Sequence, residues 1–412
     1  MILVTDGPAT DLVEALGAAG AFPVVETKWK DAPAAFASVK PSAVVVAEMP
    51  SPQASAAART LCRDVAAAPG PIVPIIARGD DGGVLPIAIG VDLGLPVERL
   101  VARLQAALRV RSLHETVLRR LEIFAAKSKK LPALEAGDPL DGATVLIAGR
   151  GPLYPKLSVA MGERVNVLGA LSVEGAAKHL NLRDIDGVVI GDGFSPRMVA
   201  AFLTVLGQEP RFRDVPIAVI DEPGPDFMDT PNIDHVDGDP ARLVVRMLPL
   251  VRLRAFETRL KRMLTSLDAG GSLDPDTGLL THEAFLHELG KVTVEASERS
   301  IALSVARLAF DGAPDVRASK DAGRLLTRLI RNVDFACCDD DGALLIAFTQ
   351  TDLRAAHVIA RRIAGLVKNS LTAPNGAHAK VTAAVTLATL KAGDTLDTLM
   401  LRVMGGHMVA AE

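Results

Sequence analysis

The residues with the most chemistry to offer lie close together, in the segment RNVDFACCDDDG over 331–342. Arg331 and Asp334 stand three apart, and five residues further on begins the run Asp339-Asp340-Asp341-Gly342. A guanidinium can fork onto a phosphate and stack on a planar ring. A carboxylate can accept from N–H donors on the edge of such a ring. The plainer reading is an exposed ion pair near a helix end, which contributes little. No other constellation competes with it. His114, His179, His235, His282 and His357 are scattered without metal-ligand spacing. There is no G-x-x-x-x-G-K-[ST] and no G-x-G-x-x-G after a strand. No nucleophile–base set is present. Cys62, Cys337 and Cys338 cannot build a disulfide framework, which fits a reducing compartment, and the adjacent pair reads as small buried filler of a strand.

The elements that must position these residues follow from length and pattern. The chain has 412 residues, 49% of them apolar, enough for two or three domains with real cores. Lys plus Arg is 45 against 49 for Asp plus Glu, a net charge of -4, which argues against a nucleic-acid binder. No apolar run reaches the ~18 residues of a membrane span. The N-terminus, MILVTDGPATD, has no basic region of a signal peptide. Strands are expected at 2–5, 43–47 and 72–76, with helices at 11–19, 54–67 and 97–110, the last continuing as a long linker helix. The pattern restarts with ATVLIAG at 143–149, GVVIGD at 187–192 and VPIAVID at 215–221. This is a domain duplicated at a period of about 140 residues. Strand–helix alternation predicts a doubly wound parallel sheet in each copy. The last region predicts strands at 302–308 and 381–387 and helices at 318–330 and 352–367. VDFACC and ALLIAF flank the Asp-Gly turn as a hairpin. The expected division is 1–115, a linker helix 116–140, 141–255, a linker 256–272, and 273–412.

The region 273–412 resembles the GGDEF domain of diguanylate cyclases. Its opening segment DPDTGLLTHEAF is similar to the family's D-x-L-T-G-L-x-N-R-x-x-F. The two preceding regions resemble response-regulator receiver domains. The expected fold is therefore α/β: two receiver-like, flavodoxin-like domains and a degenerate GGDEF domain. The departures within it are informative. In the turn that should read GGDEF, Asp340 and Asp341 replace the glycines and Gly342 replaces the metal-binding carboxylate. The strand that carries a family carboxylate reads VARLAF, with Arg307 and Leu308 in that vicinity. Thr281 replaces the guanine-reading Asn, and His282 follows it. The sequence also stops at Glu412, before the family's basic triphosphate-binding residues. The resemblance thus implies a domain without cyclase activity, and no metal or cofactor is expected.

The family's inhibitory site is an R-x-x-D five residues before the signature, and Arg331 and Asp334 match it without a gap. The ungapped register puts a second family arginine at Arg362. The resemblance implies that Arg331, Asp334 and Arg362 bind cyclic di-GMP as a stacked dimer, while Arg354 and Arg361 read as the solvated face of the same helix. The receivers lack phosphorylation chemistry. Asp6 keeps half of the first acidic pair, Gly7 takes the other place, and Glu48 is the nearest carboxylate to the acceptor position. Leu95-Pro96 replaces Lys-Pro. In the second copy Asp192 falls at the acceptor position, but Gly149 and Arg150 replace the acidic pair, so Asp192 reads as a turn or cap residue. Arg197, Arg211 and Arg213 are candidates to complete a ligand site. The expectation is a non-catalytic, cytoplasmic effector that binds cyclic di-GMP and recruits proteins, of the protease-adaptor or cell-pole kind, as a homodimer through its receivers. The alternative is a ligand-free scaffold.

Overall fold

Short valine and isoleucine runs, punctuated by Gly, Pro and Asp, set the strands of the first half. The computed structural model describes all residues except 80–83, 126–136, 210, 213, 221–229, 311–315, 332, 371–382 and 406–412. The first copy runs β1 (Ile2–Val4), α1 (Thr10–Ala18), β2 (Val25–Thr27), α2 (Ala32–Val39), β3 (Val44–Val46), α3 (Ser55–Ala66), β4 (Ile75–Arg78), β5 (Ile89–Val91) and α4 (Val97–Ala125). The second runs β6 (Thr144–Ala148), α5 (Tyr154–Gly162), β7 (Asn166–Ala170), α6 (Val173–Leu182), β8 (Gly187–Ile190), α7 (Pro196–Gln208), β9 (Ile217–Val219), β10 (Ile233–His235) and α8 (Pro240–Asp268). Both sheets are parallel, in the orders β2-β1-β3-β4-β5 and β7-β6-β8-β9-β10. That is the flavodoxin-like doubly wound order. Helices cover both faces, so Val44, Val45 and Val46 are all buried. Ser172 and Ser195 start α6 and α7 by accepting from the backbone N–H groups of Gly175 and Met198.

The strand expected at 72–76 begins later, at Ile75, because Pro71 and Pro74 have no N–H to give the ladder. Pro74 instead contributes its carbonyl to the N–H of Val44. The short strands β2, β5, β7 and β10 carry too few apolar residues in alternation to be read from the sequence. The helix from Val97 is continuous to Ala125, and the one from Pro240 to Asp268 is continuous through Pro249.

These two sheets belong to one compact unit, 1–123 with 135–260. Inside it the copies are joined by buried charge. Arg103 is the seventh residue of α4, and Arg246 is the seventh of α8. Arg103 pairs with Asp234 at 2.6 Å and donates to the Gly90 and Pro231 carbonyls. Arg99 reaches the same carboxylate at 3.3 Å. Arg246 pairs with Asp92, which follows β5. Each copy thus sends an arginine from its last helix to an aspartate at the last strand of the other.

The second unit, 124–134 with 261–412, contains α9 (His282–Arg299), β11 (Leu303–Phe310), α10 (Val316–Leu329), β12 (Phe335–Cys338), β13 (Leu344–Thr349), α11 (Leu353–Ser370), β14 (Ala383–Thr389) and α12 (Leu396–Val403). Its sheet is antiparallel in the described pairs, in the order β12-β13-β11-β14. The expected hairpin is β12–β13.

Candidate functional site

Two clusters of charge sit at opposite ends of that hairpin. At the start of β12, Arg331 and Asp334 lie in the connection from α10. The N–H of Asp334 donates to the Arg331 carbonyl at 3.0 Å, a tight turn that fixes the spacing of the pair. Arg331 is exposed, and Asp334 is buried, with 7% of its surface accessible. Its Oδ1 accepts from the backbone N–H of Thr349 at 3.0 Å and from the Thr349 hydroxyl at 3.4 Å. Burial pushes the Asp334 carboxyl above the ordinary carboxylate value, and the Thr349 bonds and the charge of Arg331 only partly oppose this. Arg362 is exposed on α11, which packs against α10. Among the described residues, neither Arg331 nor Arg362 has an ion-pair or side-chain hydrogen-bond partner. Asn332, between the pair, lies outside the described residues.

At the other end of the hairpin Asp339 and Asp341 each face a basic side chain. The turn is closed by the Asp339 and Ala343 pair and by Gly342 N–H on the Asp339 carbonyl at 2.9 Å. Gly342 has φ +82°, a left-handed conformation that favours glycine, and a Cβ there would press on Ser319 Oγ at 3.1 Å. Arg307 on β11 reaches across the sheet and pairs with Asp341. His282 Nδ1 faces Asp339 at 3.2 Å, and Lys320 pairs with Asp276 at 2.9 Å. Thr281 caps α9 by accepting from Ala284 N–H at 3.2 Å. The residues present do not fit a divalent cation. Gly342 offers no side chain, and a guanidinium occupies Asp341. Among the described residues, no group of three His, Cys, Asp or Glu is arranged to hold a metal.

Cys337 and Cys338 lie in β12. Burial pushes the Cys338 thiol up to about 11 and that of Cys337 further, so neither offers a thiolate near neutral pH. In the second parallel sheet, Asp192 accepts from Leu153 N–H at 3.3 Å, just ahead of α5, and its carbonyl accepts from Arg150 and Gly151 N–H. A Cβ on Gly151 would collide with this carboxylate. Asp192 thus ties a turn to a helix start. In the first, Glu48 leans over Gly7, and Asp6 accepts from Trp29 N–H at 3.3 Å. Arg197 is exposed, whereas Arg211 is engaged by Glu209 and Asn181. Arg213 lies outside the described residues.

Spacing along the chain does not reveal the pairing of Arg307 with Asp341 or of Asp334 with Thr349. An arginine in an otherwise apolar strand is the signal that a counter-charge must lie across the sheet.

No family model matches the chain, and no curated protein matches it. Solved structures with some likeness include GGDEF domains. One is the coiled coil and GGDEF domain of DgcB from Caulobacter crescentus in complex with c-di-GMP: 20% identity, TM-score 0.32, covering 36% of this chain and 84% of that one. Another is the GGDEF domain of FimX from Pseudomonas aeruginosa: 20% identity, TM-score 0.30, covering 32% and 90%. A third is the diguanylate cyclase SiaD in complex with its activator SiaC from the same organism: 20%, 0.31, covering 36% and 62%. Likeness at this level assigns no activity.

Proposed function

We infer that this chain is a non-catalytic effector of cyclic di-GMP, which binds the dinucleotide at Arg331, Asp334 and Arg362 and presents the bound state to protein partners. One observation carries the reading: a backbone turn sets a buried carboxylate beside an exposed arginine that, among the described residues, makes no ion pair or side-chain hydrogen bond. That is the state of a site waiting for N–H donors and an anionic phosphate. Arg331 forks onto the phosphate, Asp334 accepts from the guanine edge, and Arg362 adds charge and a stacking face. Bound dinucleotide would favour one arrangement of the chain over others through differential affinity.

The same reading makes the acidic turn catalytically silent, since Arg307 stands on Asp341 where a cation would be needed. It also places the chain in the cytoplasm; among the described residues no helix is long and apolar enough to cross a membrane. Partners of the protease-adaptor or cell-pole kind, and a homodimer, belong to this reading through the family resemblance alone.

The test is nucleotide released from the purified chain by heat and resolved by chromatography. With one Trp and one Tyr, the protein's own absorbance hides little. Cyclic di-GMP in the released fraction, and none made from GTP and Mg²⁺, is the expected result. Cyclic di-GMP formed from GTP would overturn the non-catalytic assignment.

A further inference from the structure

The outer face of α11 carries more than the ligand site uses. Arg354, Val358 and Arg362 follow at four-residue intervals and form one ridge of the helix. Leu353, His357, Arg361 and Gly365 form the adjoining ridge at the same spacing. All seven are exposed, Leu353 at 52% and Val358 at 65%. Among the described residues, Arg354, Arg361 and Arg362 have no ion-pair partner. The face is therefore cationic and apolar by turns, in a chain whose net charge is -4.

Gly365 is the second, independent observation. It lies inside α11, and a Cβ there would meet no atom within 4 Å. A glycine inside a helix costs about 1 kcal/mol relative to alanine. Elsewhere the chain gives a reason for one: a Cβ at Gly323 in α10 would strike Thr277 at 2.7 Å. Among the described residues nothing explains Gly365, whereas a backbone arriving from outside would.

We propose that this face of α11 docks an acidic amphipathic helix of a protein partner, whose carboxylates meet Arg354 and Arg361, whose apolar side chains cover Leu353 and Val358, and whose backbone comes closest at Gly365. Charge selects the occupant. A second copy using the same face would set arginine against arginine, and an acidic helix meets each of them with an opposite charge. The proposal names the partner chemistry of the effector reading, and its test leaves Arg331, Asp334 and Arg362 untouched.

The probe is a fluorescein-labelled helical peptide with Glu and Leu alternating at four-residue spacing, titrated with the full chain and read by anisotropy. A peptide with Lys for Glu is the control. The acidic peptide binds and the lysine peptide does not. Arg354→Glu with Arg361→Glu weakens binding by about tenfold or more. Gly365→Leu weakens it similarly while leaving the thermal midpoint equal or higher, since leucine is the better helix former. Cyclic di-GMP titration of the uncharged variant Gly365→Leu stays unchanged, which separates this surface from the ligand site. The proposal fails if both peptides bind alike or if neither variant alters the acidic peptide. Concentration-dependent self-association that Gly365→Leu abolishes would overturn it in favour of a second copy.

Discussion

At the start of β12, Arg331 is exposed, with no ion pair among the described residues, and Asp334 is buried against Thr349. At the far end of the same hairpin, Arg307 and Asp341 hold one another. The residue types are identical and the electrostatic states are opposite. Where guanidinium and carboxylate close on each other, each charge already has its counter-charge. Where the backbone turn fixes them, the carboxylate is anchored by Thr349 and the guanidinium stays open to solvent. An Arg–Asp spacing in a sequence therefore says little until the partner of each charge is known.

The largest effect tests what full closure means in this chain. Asp234 is 3% exposed and is held by Arg99 and Arg103. Asp234→Ala leaves two buried guanidiniums without their carboxylate and should lower unfolding stability by about 3–5 kcal/mol in urea denaturation. The Arg307–Asp341 pair is more open, with Asp341 53% exposed. Arg307→Ala should lower stability by at most about 1 kcal/mol and leave cyclic di-GMP binding unchanged. If Arg307→Ala instead abolished ligand binding, the division between the two ends of the hairpin would collapse.

Acid titration sharpens the contrast through signs. His114 is buried, accepts from Ile72 N–H, and packs edge-on against Phe256. Burial, followed by the charge of Arg111, lowers its pKa from the ordinary histidine value. The unfolded chain then binds the proton first. Stability should be complete above pH ~6.5 and fall as pH drops below it, levelling off beneath the folded-state value. His114→Gln should flatten that slope. Asp334 acts the other way. Its raised value means that stability is lost as pH rises from about 4 through the folded-state pKa. Asp334→Asn, which can still accept from Thr349, should be no less stable than the natural chain at neutral pH. A clear loss of stability would make Asp334 a structural residue.

Much of the fold and of the candidate site is legible in the amino-acid sequence. The R-x-x-D spacing, the Asp-Gly turn and each strand–helix alternation are local in sequence, and the structure shows a turn, a hairpin and two parallel sheets at those places. The pairing of Arg307 with Asp341 depends on β11 lying beside β13, and that of Asp334 with Thr349 on the β12–β13 register. Asp234 finds its arginines only because α4 of one copy meets β10 of the other. Each is a contact between distant segments, and spacing along the chain cannot reveal it. Short strands such as β5 escape for a different reason: three residues are too few to show a period.

Calorimetric titration of cyclic di-GMP into the natural chain, Arg331→Ala and Asp334→Asn is the most direct test of the central claim. The account predicts micromolar or tighter binding to the natural chain, lost in Arg331→Ala and strongly weakened in Asp334→Asn, with all three folded. No heat from the folded natural chain, or equal affinity in Arg331→Ala, would contradict it.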